Sequence, residues 1–128
     1  MVTANASIVI QESDHHVVFS NGTLLLEATK SYTNNSKTTI SVDKDKLEFP
    51  LELRLWKKGD IFYPLGMNGK KKVSKYLKDE RLTLPEKAHT WVLCSKEKII
   101  CILGHRADER FKIQPQTKAI LKIKLCPS

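Results

Sequence analysis

Leu47, Phe49, Leu51, Leu53 and Leu55 alternate with Glu48, Glu52 and Arg54, the period of two that sets one face of a strand against a core. Pro50 falls inside this run and removes a ladder donor, so the strand is either at an edge or broken there. A hairpin is predicted upstream: His16–Ser20 and Thr23–Glu27 are rich in β-branched and apolar residues. They flank Asn21-Gly22, the pair best suited to the positive φ angles of a type I′ turn. Ser31–Thr39 is polar and without period, and reads as a loop. Trp91–Cys94 and Lys98–Leu103 form a second predicted pair around Ser95-Lys96-Glu97. A last strand, Ala119–Leu125, sets Leu121, Ile123 and Leu125 against Lys122 and Lys124.

One segment changes period. From Lys72 to Arg81, at about 100° per residue, Val73, Tyr76 and Leu77 share one side and Lys71, Lys75 and Lys78 the other. The spacing predicts a short amphipathic helix docked on the sheet with its lysines outward. Asn68 or Gly69 leads into it, or Ser74 caps a shorter version. The fold class that follows is α+β: a strand-rich sandwich or barrel-like single domain over residues 1–128, with one short basic helix.

Length and composition agree with this picture. At 128 residues the chain buries roughly two thirds of its unfolded surface, enough for one core. No run approaches the length of apolar sequence that spans a membrane, and Met1–Ser7 lacks the basic flank and apolar stretch of a signal peptide. The expected location is therefore cytoplasmic. Cys94, Cys101 and Cys126 form no C-x-x-C pair and read as buried free thiols; no metal ligand set is expected.

Charge alters the picture more. The net charge of +8 is uneven: residues 1–53 carry a net −3, residues 54–81 a net +6 and residues 82–128 a net +5. A focused basic excess suits a polyanion, because each phosphate contact releases condensed counterions. It equally suits a solvated lysine surface.

The basic excess is densest in Arg54–Leu77. A strand ends at Gly59-Asp60, a loop with Gly66 and Gly69 follows, and Lys70, Lys71 and Lys72 stand where the helix begins. Free N–H groups and lysines there suit phosphate. Gly66 and Gly69 are too close together for the nucleotide-binding pattern G-x-x-x-x-G-K-[ST].

The run R-x-x-x-x-G-D-x-F-x-P-L-G-M-x-G-x-K-K-V-S-x-Y-L from Arg54 to Leu77 resembles the C-terminal domain of tRNA(Ile)-lysidine synthases. A second segment, G-x-R-x-D-x-R-F-K from Gly104 to Lys112, resembles the same family in order and separation. The resemblance covers about residues 45–125; residues 1–44 match loosely. Lys58 and His105 depart from the family pattern, with proline and an apolar residue usual at these places. The resemblance implies a full enzyme that uses ATP to adenylate the wobble cytidine of an isoleucine tRNA, after which lysine displaces AMP. It implies that this domain engages the tRNA acceptor stem. Nothing in the chain resembles the S-G-G-x-D-S adenylation loop, so ATP and lysine are expected to act in a catalytic domain of the same full-length chain. No catalytic residue and no cofactor are assigned here. A homodimer is a further possible arrangement, and a basic module for an anionic membrane or an acidic protein is the alternative function.

The expected RNA-binding residues are Arg54, Lys57, Lys58, Lys70, Lys71, Lys72, Lys75, Lys78, Arg81, Arg106 and Arg110. Gly59, Asp60, Gly66, Gly69 and Asp108 are expected to structure the loops. For the arginines two readings stand: contact with RNA, or pairing with Asp60 or Asp108. Phe62 and Tyr76 read as core; Trp56, on the polar side of its strand, is open to either core packing or base stacking. His105, Asp108 and Ser74 make a hydrolytic triad on paper only, with no nucleophile elbow behind it.

Overall fold

The computed structural model describes residues 7–32 and 34–127. The chain runs through β1 (Ile8–Ile10), β2 (His16–Phe19), β3 (Gly22–Thr29), β4 (Thr39–Asp43), β5 (Leu51–Leu55), β6 (Ile61–Phe62), β7 (Lys71–Lys72), α1 (Val73–Asp79), α2 (Leu84–Ala88), β8 (Trp91–Ser95), β9 (Lys98–Ile102), β10 (Arg106–Ala107) and β11 (Ile120–Pro127). Residues 1–6, where most of the signal-peptide reading falls, lie outside the described part.

Three antiparallel sheets result. The first has the order β1-β5-β8-β9-β10, the second β2-β3-β11-β4, and the third is the two-stranded β6-β7 ribbon. The first two stack as a sandwich that is not closed into a barrel. Leu24, Leu26, Val42, Leu51, Leu53, Leu93, Leu121 and Ile123 fill the space between them. A third layer, α1 with the β6-β7 ribbon, covers the other face of the first sheet through Phe62, Val73, Tyr76 and Leu77.

That third layer explains β8. All five residues of Trp91–Ser95 are buried, because Trp91 and Leu93 face the sandwich while Val92 and Cys94 face α1. A strand covered on both faces reads as continuously apolar, without alternation. In β9, Ile100 and Cys101 both face the sandwich. The register shift between Leu93 and Cys94 accounts for this: a bulge places two successive residues on one side.

Several predicted elements take different bounds. The run from Leu47 is broken at Pro50, and only Leu51–Leu55 is strand, in the interior of the sheet between β1 and β8. The first hairpin is paired through Phe19 and Gly22, so its turn is Ser20-Asn21 and the positive φ (141°) belongs to Gly22. Asn21 is not in the left-handed region and the type I′ expectation fails; its side chain instead donates to His89 O at 2.7 Å. Helix α2 was not predicted, although Thr83 and Glu86 form a complete capping box ahead of it, a signal present in the sequence.

Cys94 and Cys101 are buried, Cys126 is half-buried, and all three are free. Burial pushes the Cys94 thiol up to about 11 and raises that of Cys101 as well. Since the thiolate is the reactive species, one thiol should react rapidly with a disulfide reagent in the native domain and three after unfolding. Cys126→Ser should abolish the rapid phase; a second fast thiol would contradict the packing described.

Candidate nucleic-acid interface

At seven residues, α1 is too short to be stable alone and exists because Val73, Tyr76 and Leu77 bury one face. Its N-cap is Lys72, with no side-chain cap; neither Asn68, Gly69 nor Ser74 takes that role. Val73 N donates instead to Asp60 O at 2.9 Å. The helix ends in a Schellman motif: Arg81 N donates to Lys78 O at 2.9 Å and Leu82 N to Leu77 O at 3.3 Å. Arg81 occupies the left-handed position at φ 60°, which leaves its side chain exposed beyond the helix.

This layer concentrates positive charge. Lys57, Lys58, Lys70, Lys72, Lys75, Lys78 and Arg81 are exposed, and Lys71 is half-buried. Asp79, which the sequence reading passed over, binds Lys71 at 2.8 Å and Lys75 at 3.1 Å. Hydrogen bonds from Lys71 and then Lys75 hold its carboxyl below the usual carboxylate range. The spacing of Lys75 and Asp79 (i, i+4) is the signal that could have found the pair. Among the described residues, Lys57, Lys58, Lys70, Lys72, Lys78 and Arg81 enter no ion pair.

Two aspartates fix the loops that carry these cations. Asp60 receives Arg54 Nη1 and Nη2 at 2.9 and 3.1 Å and Lys57 N at 2.8 Å. The hydrogen bond to Asp60 raises the Arg54 pKa above its ordinary value. Arg54 lies opposite Val92 on β8, on the face that α1 covers, so its guanidinium serves the fold from within. Asp108 is more central still. Its carboxylate accepts from Tyr63 N at 2.9 Å, Arg110 N at 2.7 Å, Arg110 Nε at 3.0 Å and Arg110 Nη2 at 2.9 Å. Arg110 also lies over the Tyr63 ring, 4.4 Å from its centroid.

The two sequence segments are thereby clipped together. Leu65 N donates to Ala107 O, Glu109 N to Tyr63 O, Gly66 N to Glu109 Oε1 and Arg106 Nη1 to Leu65 O. Lys112 pairs with Glu109; that contact, and then the Gly66 N–H, lower the Glu109 carboxyl. Gly59, Gly66 and Gly69 all have positive φ, as the loop-structuring role requires. Structural pairing therefore describes Arg54 and Arg110, while Arg106 is exposed and anchored by one nitrogen.

The aromatic residues separate cleanly. Phe62 and Tyr76 are buried edge to face, 5.4 Å apart. Trp56 packs against the α1 core and donates Nε1 to Lys87 O at 2.7 Å, which settles its open reading in favour of packing. His105 meets the Tyr76 ring edge-on, and burial lowers its pKa. Since Arg110 and the Tyr63 amide occupy the Asp108 oxygens and Ser74 is exposed, these residues form no relay. Among the described residues no His, Cys, Asp and Glu cluster suits a metal ion, and no helix is long and apolar enough to cross a membrane.

Residues 51–125 match the family model described as the TilS substrate C-terminal domain. A tRNA(Ile)-lysidine synthase of Parabacteroides distasonis is 48% identical over 86 residues, 67% of this chain and 20% of that protein. One of Bacteroides thetaiotaomicron is 43% identical over 89 residues, 70% of this chain and 21% of that protein. The chain thus spans about a fifth of the length of these curated relatives. A crystal structure of a TilS C-terminal domain superposes with a TM-score of 0.68 at 17% identity, covering 94% of this chain and 92% of the other, which establishes a shared fold.

Proposed function

The chain belongs to the TilS substrate C-terminal domain family, and from that premise we propose that it is the tRNA-binding, non-catalytic module of a tRNA(Ile)-lysidine synthase. In this reading the parent enzyme ligates lysine to the wobble cytidine of an isoleucine tRNA at the expense of ATP. Both small molecules act in a catalytic domain of the same full-length chain, and the present domain holds the acceptor stem. The observation that carries the proposal is the set of exposed cations that, among the described residues, enter no ion pair, on the β7-α1 layer and the turns beside it: Lys57, Lys58, Lys70, Lys72, Lys78 and Arg81. A-form stems present phosphates and 2′-hydroxyls more readily than base edges, and point charges held along β7, α1 and the adjoining turns match phosphates without reading sequence.

The ion pairs redistribute the expected contacts. Lys71 and Lys75 share Asp79, so Lys72 and Lys78 are the better probes. Binding of isoleucine tRNA should weaken steeply with salt. The double variant Lys72→Glu/Lys78→Glu should lower the magnitude of the log–log salt slope by about 2, one unit for each lost phosphate contact. Both side chains are exposed, so circular dichroism and unfolding midpoint should be nearly unchanged. Binding independent of salt, or an unaltered slope in the double variant, would overturn the surface. Anionic vesicles that displace tRNA at equal charge concentration would favour a membrane-binding module instead.

A further inference from the structure

Beside the lysine layer, an open groove runs between Tyr32 and Asn35–Lys37 on one side and the ridge formed by Leu65, Arg106 and Lys112 on the other. It consists of two hollows of about 290 and about 270 Å³ that share Asn35 and Leu65, each near the lower end of the size range of ligand sites, roughly 300 Å³ and upward. Among the described residues no Asp or Glu lines either hollow. The nearby Glu109 is turned to Lys112 and to the Gly66 amide.

Four features give the groove a chemistry. Tyr32 lines one hollow and is 56% exposed, so its side chain is accessible to a planar partner. Asn35 Oδ1 accepts from Ser41 N at 2.9 Å, which fixes the amide and leaves its NH₂ as a donor. Arg106 is held by Leu65 O at 2.9 Å through Nη1 alone, so the rest of its five-donor fork remains available. Lys37 stands exposed at the same side. An aromatic face, a fixed amide donor and two flanking cations, without a competing carboxylate in the lining, complement a base and its phosphate.

From this we infer that the groove holds an unpaired nucleotide of the bound RNA, its base on Tyr32 and its phosphate between Lys37 and Arg106. Paired bases in an A-form stem are stacked and cannot enter; only a splayed nucleotide can. Leu65 belongs to the same loop that ends in Lys70–Lys72, so one RNA can lie on the lysine layer and reach the groove. The inference rests on the RNA-binding reading above and adds a second, chemically different contact to it.

The test compares a blunt RNA hairpin with the same hairpin bearing a short unpaired tail that contains 2-aminopurine. The tail should tighten binding about tenfold, within the range of one base stacked on an aromatic ring, and its fluorescence should be quenched on binding. Tyr32→Ala should remove both the gain and the quench while leaving blunt-hairpin affinity and its salt slope unchanged. Tyr32→Phe should retain both. Blunt binding with no gain from the tail, or a full gain in Tyr32→Ala, would overturn the groove alone. Failure of both hairpins to bind would overturn the lysine-layer reading and the groove with it.

Discussion

Asp108→Ala is expected to destabilise the domain by about 4 kcal/mol, which would be a large fraction of the ~5–15 kcal/mol of a typical domain. The side chain is wholly buried, at 0% exposure, whereas its partner Arg110 keeps 29%. Arg110 can therefore turn partly to water when the carboxylate is removed, and the ion pair is the smaller part of the loss. The larger part is the orphaning of the Tyr63 and Arg110 amides, each bonded to that carboxylate, at about 1–3 kcal/mol apiece. Asp108→Asn keeps one acceptor oxygen but turns an NH₂ toward other donors, so it should recover no more than about half. Urea unfolding measures the global cost. Hydrogen exchange at Leu65 and Gly66 should show the 63–70 loop released from the Ala107 and Glu109 contacts. A loss below about 1 kcal/mol, or unchanged exchange in that loop, would show that Asp108 does not clamp the two segments.

How much of this was legible in the sequence depends on the range of each interaction. Alternation located β5 and β11, because a strand's two faces are written two residues apart, whereas β8 and β9 were legible as two short apolar runs flanking Ser95-Lys96-Glu97. The Val73, Tyr76 and Leu77 spacing located α1 for the same kind of reason. Apart from α2, whose capping box is a local signal, the elements missed are those fixed by distant partners. Ile61–Phe62 and Lys71–Lys72 are strands only because each pairs with the other, and Arg106–Ala107 only because Ile102 and Cys101 lie beside it. The break at Pro50 was legible; which of the two alternatives held was decided by β1, which pairs with β5 on the side away from β8. In the basic layer, the family segments marked the cation-rich stretch of chain without showing which of its cations enter ion pairs. That depended on Asp79 reaching back to Lys71 and on the aspartates facing Arg54 and Arg110. Tyr32, Asn35 and Lys37 sit in a loop with no period and gain meaning only from the ridge opposite.

The Arg54–Asp60 pair gives the second large effect and separates loss of a charge from loss of a pair. With side chains 16% and 7% exposed, Asp60→Ala leaves a guanidinium confined beneath α1. Its remaining neighbours are Leu55 O at 3.1 Å and Glu52 Oε1 at 3.7 Å. Breaking one side of a buried pair costs about 3–5 kcal/mol. Because Glu52 stays within reach, the lower end, about 3 kcal/mol, is expected. Arg54→Met/Asp60→Ala removes both charges and fills the space of the arginine stem with an apolar chain. The double variant should therefore be more stable than Asp60→Ala alone, although the Lys57 amide still loses its acceptor. A coupling energy above about 1 kcal/mol in the double-mutant cycle marks the pair as one unit. Simple additivity would mean that Asp60 acts only on the turn. Because Asp60 O receives the Val73 amide through the backbone, the start of α1 should survive in Asp60→Ala, in Arg54→Met and in the double variant. Their tRNA affinity should then fall only as far as their folded fraction does, which would divide the cations that hold the domain together from those proposed to face the RNA.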